Sequence, residues 1–452
     1  MEETLRGRVY LGLQALRGRP LGRWIRRLRE WERLDAAEFE RRHEDRLRLT
    51  LAHAAACVPL YRTEPWRSVL SGGSDRLERW PILEREVLRE RFDALRARPA
   101  PRRQVVRQTS GSTGAPIRVA LTPEAEAWGW AHRYRGLGWH GIPVGARALR
   151  LSHDRHPLRD RVLGQVSLPE LDGEAALETA ARILRARPSE RPRLVAGPPS
   201  TLFRLARYLR ETGATAPLVP FARSGGEQLF GFQRSEIQDR LAERVIDSYG
   251  STEAGALAGE CPAGSLHVYA EHVHLEIVQG DTPVAPGEFG DIVATPLGNL
   301  AMPLIRYRVG DRGRLSPEPC RCGLPHPVLL DLQARLGDTI VAADGSVHHA
   351  SVLVEALEPF FAAPISAGVR QLRFDPIDRL TWEVRIEAPR LLRAGDDGIR
   401  ALAALERRLA EIVRRTFGAP CRVEASLVEA IPRERGKFRY YRVVGQRRAA
   451  VP

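Results

Sequence analysis

The sequence predicts an α/β protein: a large layered α/β N-terminal domain that includes a β subdomain, followed by a small α+β C-terminal domain. Three observations predict it. Between residues 193 and 255, apolar strand-like runs alternate with Gly-containing turns and amphipathic stretches. From 265 to 295 the pattern changes to period two, in HVHLEIV and GDIVATPL, which reads as antiparallel β structure. Beyond about residue 338 the character changes again, to a unit of a different build. The chain has 452 residues, 43% of them hydrophobic, enough for two or three domains with sizeable cores.

Residues 1–34 are arginine-rich with scattered apolar positions. Residues 35–57 carry apolar residues at helical spacing behind Asp35, a capping residue type. Stretches 82–98 and 173–187 also read as helices, and 116–121 and 147–152 as strands. RLVAG (193–197) is a buried-strand pattern, followed by a helix opened by proline and closed by glycine. LVPFARSGGEQL (218–229) runs from strand into a Gly-Gly turn, a helix follows at 231–243, and RVIDSYGSTEAG (244–255) is again strand then turn. In such sheets ligands sit beyond the carboxyl ends of the strands. The C-terminal unit reads as a hairpin (371–388), an amphipathic helix (398–418) and a strand (421–428).

Composition excludes several classes. No run of about 20 apolar residues spans a membrane, and the N-terminus lacks a secretory-signal pattern. Five scattered cysteines do not make a disulfide scaffold, so a cytoplasmic protein is expected. The formal charge is +14 (70 basic against 56 acidic residues), yet Lys437 is the only lysine. The arginines are interleaved with Glu and Asp, which reads as a codon effect, and no aromatic-plus-basic nucleic-acid module is present.

Four short motifs carry chemistry. QTSGSTGAP (108–116) offers hydroxyls and close backbone N–H groups to an anion, without being a Walker A loop. SGGEQ (224–228) lets backbone approach a ring. SYGSTEAG (248–255) supplies a flat aromatic, a hydroxyl and a carboxylate suited to Mg2+. In YRVGD (307–311), Asp311 can accept both hydroxyls of a ribose.

Together and in this order, these motifs and the late Gly-Lys resemble the core motifs of the adenylate-forming superfamily: acyl-CoA synthetases, adenylation domains and luciferases. LAHAAACVPLYR (51–62) and AGPPSTLFRLARYL (196–209) look like its phenylacetate–CoA ligase and capsule-protein-CapK-like branch. The resemblance covers about 45–445. It implies an N-terminal ATP- and carboxylate-binding domain (1–334), a hinge (335–338) and a small mobile C-terminal domain (339–452) carrying a catalytic lysine. It implies ATP and Mg2+ as cofactors, an acyl-adenylate formed from a small carboxylic acid, and transfer to a thiol, that of coenzyme A first. The alternatives are a thiol on an acidic carrier protein, an amine, adenylation of a hydroxyl as in coenzyme F390 synthetase-like relatives, or a non-catalytic scaffold.

Carried over by residue, Ser110, Gly111, Ser112, Thr113 and Gly114 match the phosphate loop. Gly225, Gly226 and Glu227 match the segment lining adenine, and Tyr249 the aromatic stacked on it. Thr252 matches a phosphate-contacting hydroxyl and Glu253 the Mg2+ ligand. Asp311 and Arg335 match ribose contacts, and Lys437 the catalytic lysine. A chain that otherwise uses only arginine keeps its one compact ammonium here. Two positions depart from the pattern. Ala115 stands where many members carry lysine, and Gly337 stands at an often acidic hinge position, with Asp338 beside it.

Cys261, His267, Cys320 and Cys322 have the residue types of a closed tetrahedral Cys3His site, which leaves two readings open: a structural Zn2+, or reduced thiols with a surface histidine. Cys57 and Cys421 read as core. His153 or His156 is a candidate carboxylate neighbour. The aromatic-rich stretch 128–141 reads as core packing, with a pocket wall as the alternative.

Overall fold

The computed structural model describes residues 3–71, 76–108, 116–151, 157–168, 173–333, 339–342, 344–418, 421–433 and 438–441. The chain divides into two units, each assembled from separate stretches. Met1–Ala146, Arg161–Gly164 and Ile246–Arg335 form the first, and Arg147–Asp160, Gln165–Val245 and Leu336–Pro452 the second.

The first unit holds an eight-stranded sheet, ordered Thr282–Pro283, Val273–Gln279, Gly290–Pro296, Tyr307–Leu315, Val328–Gln333, Leu266–Val268, Gly255–Glu260, Ser248–Ser251. Its pairings are antiparallel, as the period-two pattern predicts. The alternation is sharpest in Tyr307–Leu315, where residues 307, 309, 311 and 313 are buried and those between them are partly exposed. A hairpin of Val105–Gln108 with Arg118–Leu121 pairs Gln108 with Arg118. It therefore frames the Ser/Thr/Gly-rich connection, whose residues 109–115 lie outside the described ones.

Helix Ala36–Cys57 starts where its cap predicts: Asp35 Oδ1 accepts from the Glu38 N–H at 2.8 Å. It ends just before Pro59, which cannot continue it. Helix Pro123–Trp139 is capped by Thr122, which accepts from the Ala125 N–H at 3.0 Å. It buries Trp128, His132, Arg135 and Gly136, so the aromatic-rich stretch builds core. The arginine-rich start forms two helices, Leu5–Leu16 and Leu21–Trp31. The helix expected over 82–98 is instead two short ones, Arg85–Glu90 and Phe92–Leu95. Leu83 is taken by the sheet, where its N–H donates to Arg306 O and its carbonyl accepts from Arg308 N–H. This leaves only the later residues free to coil.

The second unit contains a five-stranded sheet ordered Val166–Leu168, Ala148–Leu151, Leu194–Gly197, Val219–Ser224, Ala242–Ile246. The first four strands pair in parallel. Helix Pro199–Glu211 follows the strand at 194–197, and eleven of its 13 residues are buried. Its two buried arginines are paired. Arg204 Nε donates to Glu387, and Arg207 Nε to the Val369 carbonyl at 2.8 Å. The same unit contains a three-stranded sheet, Gln371–Pro376, Thr381–Glu387 and Arg422–Val428. Its first pair is antiparallel and its second parallel. The parallel pair requires a crossover, which helix Asp396–Phe417 supplies. That helix buries Leu405, Leu409, Ile412, Val413 and Phe417 and ends at Gly418, φ +68°, a left-handed cap that glycine adopts without strain. Both sheets share one apolar core.

Candidate active site

In the first unit the site grows from a tight return of the chain. Strand Ser248–Ser251 pairs with Gly255–Glu260, so only Thr252, Glu253 and Ala254 connect them. Gly255 has φ +81°, and a side chain at Gly250 would lie 2.5 Å from the Gly255 carbonyl. Both positions need glycine for the turn to close. Ser251 Oγ accepts from the Ala254 N–H at 2.9 Å. The turn leaves Thr252 exposed and drives Glu253 inward, with its carboxylate fully buried.

Glu253 Oε1 accepts from Tyr307 Oη at 3.3 Å and lies 3.3 Å from Arg85 Nη2. Four residues along the same strand, on the same buried face as Tyr307, Asp311 accepts from Tyr249 Oη at 2.8 Å. The structure thus joins Tyr249 to Asp311, and it adds Tyr307 and Arg85 to Glu253. Sequence reasoning missed Arg85. Nothing marks it within PILEREVLRE, and its partner lies 168 residues further along the chain. A buried carboxylate with a guanidinium alongside suits a divalent cation, because the cation can take over the charge that the arginine now balances.

Gly225, Gly226 and Glu227 belong to the second unit and follow strand Val219–Ser224 at its carboxyl end. Gly226 has φ +91° and nothing within 4 Å of where a Cβ would be, so glycine here serves the backbone conformation. Glu227 Oε2 accepts from Ser200 N–H at 3.4 Å, and Oε1 from Phe438 N–H at 3.1 Å. Arg433 Nη1 donates to Ser200 Oγ at 3.3 Å, Ile431 N–H to Glu387 Oε2 at 3.3 Å, and Gln233 Nε2 to Tyr440 Oη at 2.7 Å. Residues on both sides of 434–437 are therefore fastened within this unit, and Phe438, the neighbour of Lys437, is held by Glu227 itself.

Lys437 lies outside the described residues, as do Ser110, Gly111, Ser112, Thr113, Gly114, Ala115, His153, His156, Arg335, Gly337 and Asp338.

The donor atoms of Cys261, His267, Cys320 and Cys322 all lie within 4.8 Å of one another. The Cys261 and Cys320 sulfurs are 3.9 Å apart, and Cys322 Sγ is 3.2 Å from His267 Nε2. A tetrahedral zinc with bonds of about 2.3 Å to sulfur and about 2.0 Å to nitrogen needs spacings close to these. His267 Nδ1 is 2.9 Å from the His326 carbonyl. Only an N–H can pair with a carbonyl, so the Nε2 lone pair faces the thiols. Burial pushes the Cys322 thiol up to about 12. Burial also raises Cys320, but its hydrogen bonds with Ser265 and Cys322 outweigh that and hold the thiol below its ordinary value. All five cysteines are free thiols, Cys261 buried and Cys57 and Cys421 half-buried.

No family model matches the chain. Among curated proteins it is 26% identical to the phenylacetate–coenzyme A ligase of Thermus thermophilus, over 91% of this chain and 97% of that one. It is 28% identical to the enzyme of the same name from Escherichia coli, over 63% of this chain and 69% of that one. Among solved structures, 2-hydroxyisobutyryl-CoA ligase in the postadenylation state, with R3-HIB-AMP, matches with TM-score 0.72 at 20% identity, covering 92% of this chain and 91% of that one. The anthranilate CoA ligase AuaEII with anthranoyl-AMP matches with TM-score 0.50 at 14% identity, covering 74% and 64%.

The fold is that of the adenylate-forming enzymes, with motifs of that class at the turns described above. Within the class the curated proteins that match are phenylacetate–CoA ligases, which supports that branch and the AMP-forming, acid–thiol type of ligase read from the motifs.

Proposed function

We propose that the chain activates a small carboxylic acid with ATP as an acyl-adenylate, releases pyrophosphate, and passes the acyl group to the thiol of coenzyme A. The observation that carries this reading is the pairing of Glu253 with Tyr307 and of Asp311 with Tyr249, from motifs recognised independently in the sequence, with Arg85 added beside Glu253 by the fold. The acid and the α-phosphate repel each other, so the site must neutralise charge before they meet. Glu253 is the residue to hold Mg2+, which supplies that neutralisation on the phosphate oxygens. Arg85 balances Glu253 and adds positive charge to the same place. Asp311 accepts from the ribose hydroxyls, with Tyr249 orienting its carboxylate and offering a face to adenine. Ser110, Gly111, Ser112, Thr113 and Gly114 wrap the phosphates, with Thr252 as a further hydroxyl and Arg335 on the ribose. Gly225 and Gly226 give a flat backbone edge beside the base, and Glu227 fixes the chain next to Lys437. Lys437, carried by 339–452 beyond the hinge 335–338, bridges carboxylate and phosphate. Cys261, His267, Cys320 and Cys322 hold a structural zinc, since four protein ligands leave no open position.

The test is carboxylate-dependent exchange of labelled pyrophosphate into ATP over a panel of aryl, fatty and amino acids, with Lys437→Ala alongside. Exchange with some acid, lost in the variant, is expected. ATP binding by calorimetry without exchange for any acid would sink carboxylate activation and move the reading to a hydroxyl substrate. For the metal, one zinc per chain is expected by elemental analysis. Cys322→Ser should lose the zinc and more than about 1 kcal/mol of stability, with exchange retained. A zinc-free, equally stable wild type would refute the site.

A further inference from the structure

Helix Leu5–Leu16 is apolar on two opposite faces. One face, with Tyr10, Leu11 and Gly7, is buried in the first unit. Thr4 fastens its start, accepting from the Gly7 N–H at 3.0 Å and donating to the Val144 carbonyl at 3.1 Å. A Cβ on Gly7 would lie 2.1 Å from that carbonyl, so the helix backbone is pressed onto the protein. Tyr10 meets Tyr134 edge-on, with ring centroids 6.4 Å apart.

The opposite face carries Leu5, Val9, Leu13 and Leu16, which are 71%, 50%, 36% and 86% exposed. Their spacing of four, four and three residues makes one continuous stripe. A helix that only packs on its own domain needs one apolar face, so the second calls for an occupant from outside. The surroundings say which kind. Arg8 on this helix, Arg17 at its C-cap, and Arg23, Arg26 and Arg27 on the next helix are exposed. Residues 1–34 hold nine arginines against four glutamates, a net +5. A second copy meeting this face would bring two segments of like charge together, whereas an anionic lipid surface complements both the leucines and the arginines. Among the described residues no helix is long and apolar enough to cross a membrane, so this contact is peripheral.

We propose that helix Leu5–Leu16 docks the protein onto anionic lipid surfaces. Leu5, Val9, Leu13 and Leu16 enter the boundary between headgroups and acyl chains, and the flanking arginines lie on the lipid phosphates.

The test is co-sedimentation of the full chain with phosphatidylcholine vesicles and with vesicles of equal parts phosphatidylglycerol and phosphatidylcholine. Partition onto the anionic vesicles should be about tenfold stronger and should weaken with salt. Leu5→Glu combined with Leu16→Glu should reduce it about tenfold, and Arg8→Ser with Arg17→Ser should flatten the salt dependence. These side chains are exposed, so circular dichroism and pyrophosphate exchange should match wild type. Equal partition of wild type and the double-Glu variant, or no binding to either vesicle, overturns the proposal. So does a dimer, seen by sedimentation velocity without vesicle binding and abolished by the same pair, which assigns the stripe to a second copy.

Discussion

Two glutamates in the first unit look alike in burial and differ in what surrounds them. The side chains of Glu253 and Glu271 are both fully buried, and each has an arginine. The Arg85 side chain beside Glu253 is 22% exposed, whereas that of Arg135 beside Glu271 is 2% exposed. Glu271 is further enclosed by His132 Nε2 at 3.6 Å and His326 Nδ1 at 3.5 Å. Burial pushes its carboxyl up, but Arg135, His326 and His132 outweigh it and hold it well below the usual carboxylate range. One carboxylate has a counterion at the edge of solvent that a cation can displace. The other has its charge settled inside the fold. Equal burial of the two carboxylates thus hides a difference in how far their counterions are exposed to solvent.

Removing the enclosed charge should have the largest effect. Glu271→Gln keeps the shape but leaves buried Arg135 with only the more distant Glu32, 3.6 Å from its Nε, as counter-charge, and about 3 kcal/mol of stability should be lost in urea titration. A loss below about 1 kcal/mol would mean that water reaches Arg135 and that the two sites are alike after all. Glu253→Gln should invert the pattern, lowering pyrophosphate exchange about 100-fold with stability nearly unchanged. Arg85→Ala should lower exchange about tenfold, within the range of one charge-assisted hydrogen bond. It should also shift the magnesium needed for half-maximal exchange to lower concentration, because the guanidinium and the cation compete for Glu253. An unchanged magnesium requirement would place Arg85 on the phosphates alone.

The comparison also extends to a pH dependence in the same unit. His43 Nδ1 is 2.7 Å from the Ala270 carbonyl and donates to it, and His43 Nε2 lies 2.8 Å from His274 Nδ1. Burial, His43 and Arg306 push His274 down from 6.5 to about 3. This histidine gains its proton on unfolding, so its contribution to stability is intact above pH 6.5 and declines as pH falls from there toward about 3. The slope is at most about 1.4 kcal/mol per pH unit. His274→Gln should flatten the fall of the thermal midpoint between pH 6.5 and 4.5, and an unaltered slope would assign the fall to other groups.

Local patterns made much of this legible. Asp35 announced its helix, the Gly turns marked the carboxyl ends of the parallel strands, and Cys261, His267, Cys320 and Cys322 were found by residue type alone. What the sequence hid was set by distant partners. Leu83 is drawn into the sheet beside Tyr307, which delays the start of the helix expected over 82–98, and Arg85 in the first turn lies 3.3 Å from Glu253. The first two helices went unread in residues 1–34, where apolar positions are scattered among arginines, although their buried faces follow a 3.6-residue period.

His326 serves two neighbours with different halves of itself. Its carbonyl fixes the ring of His267, while its imidazole lies against Glu271. Replacing the side chain would disturb only the second service, since every amino acid carries the same carbonyl. Natural variation at position 326 should therefore track the acid beneath it and stay silent about the thiols. Half of what this residue does would escape any comparison of side chains among relatives.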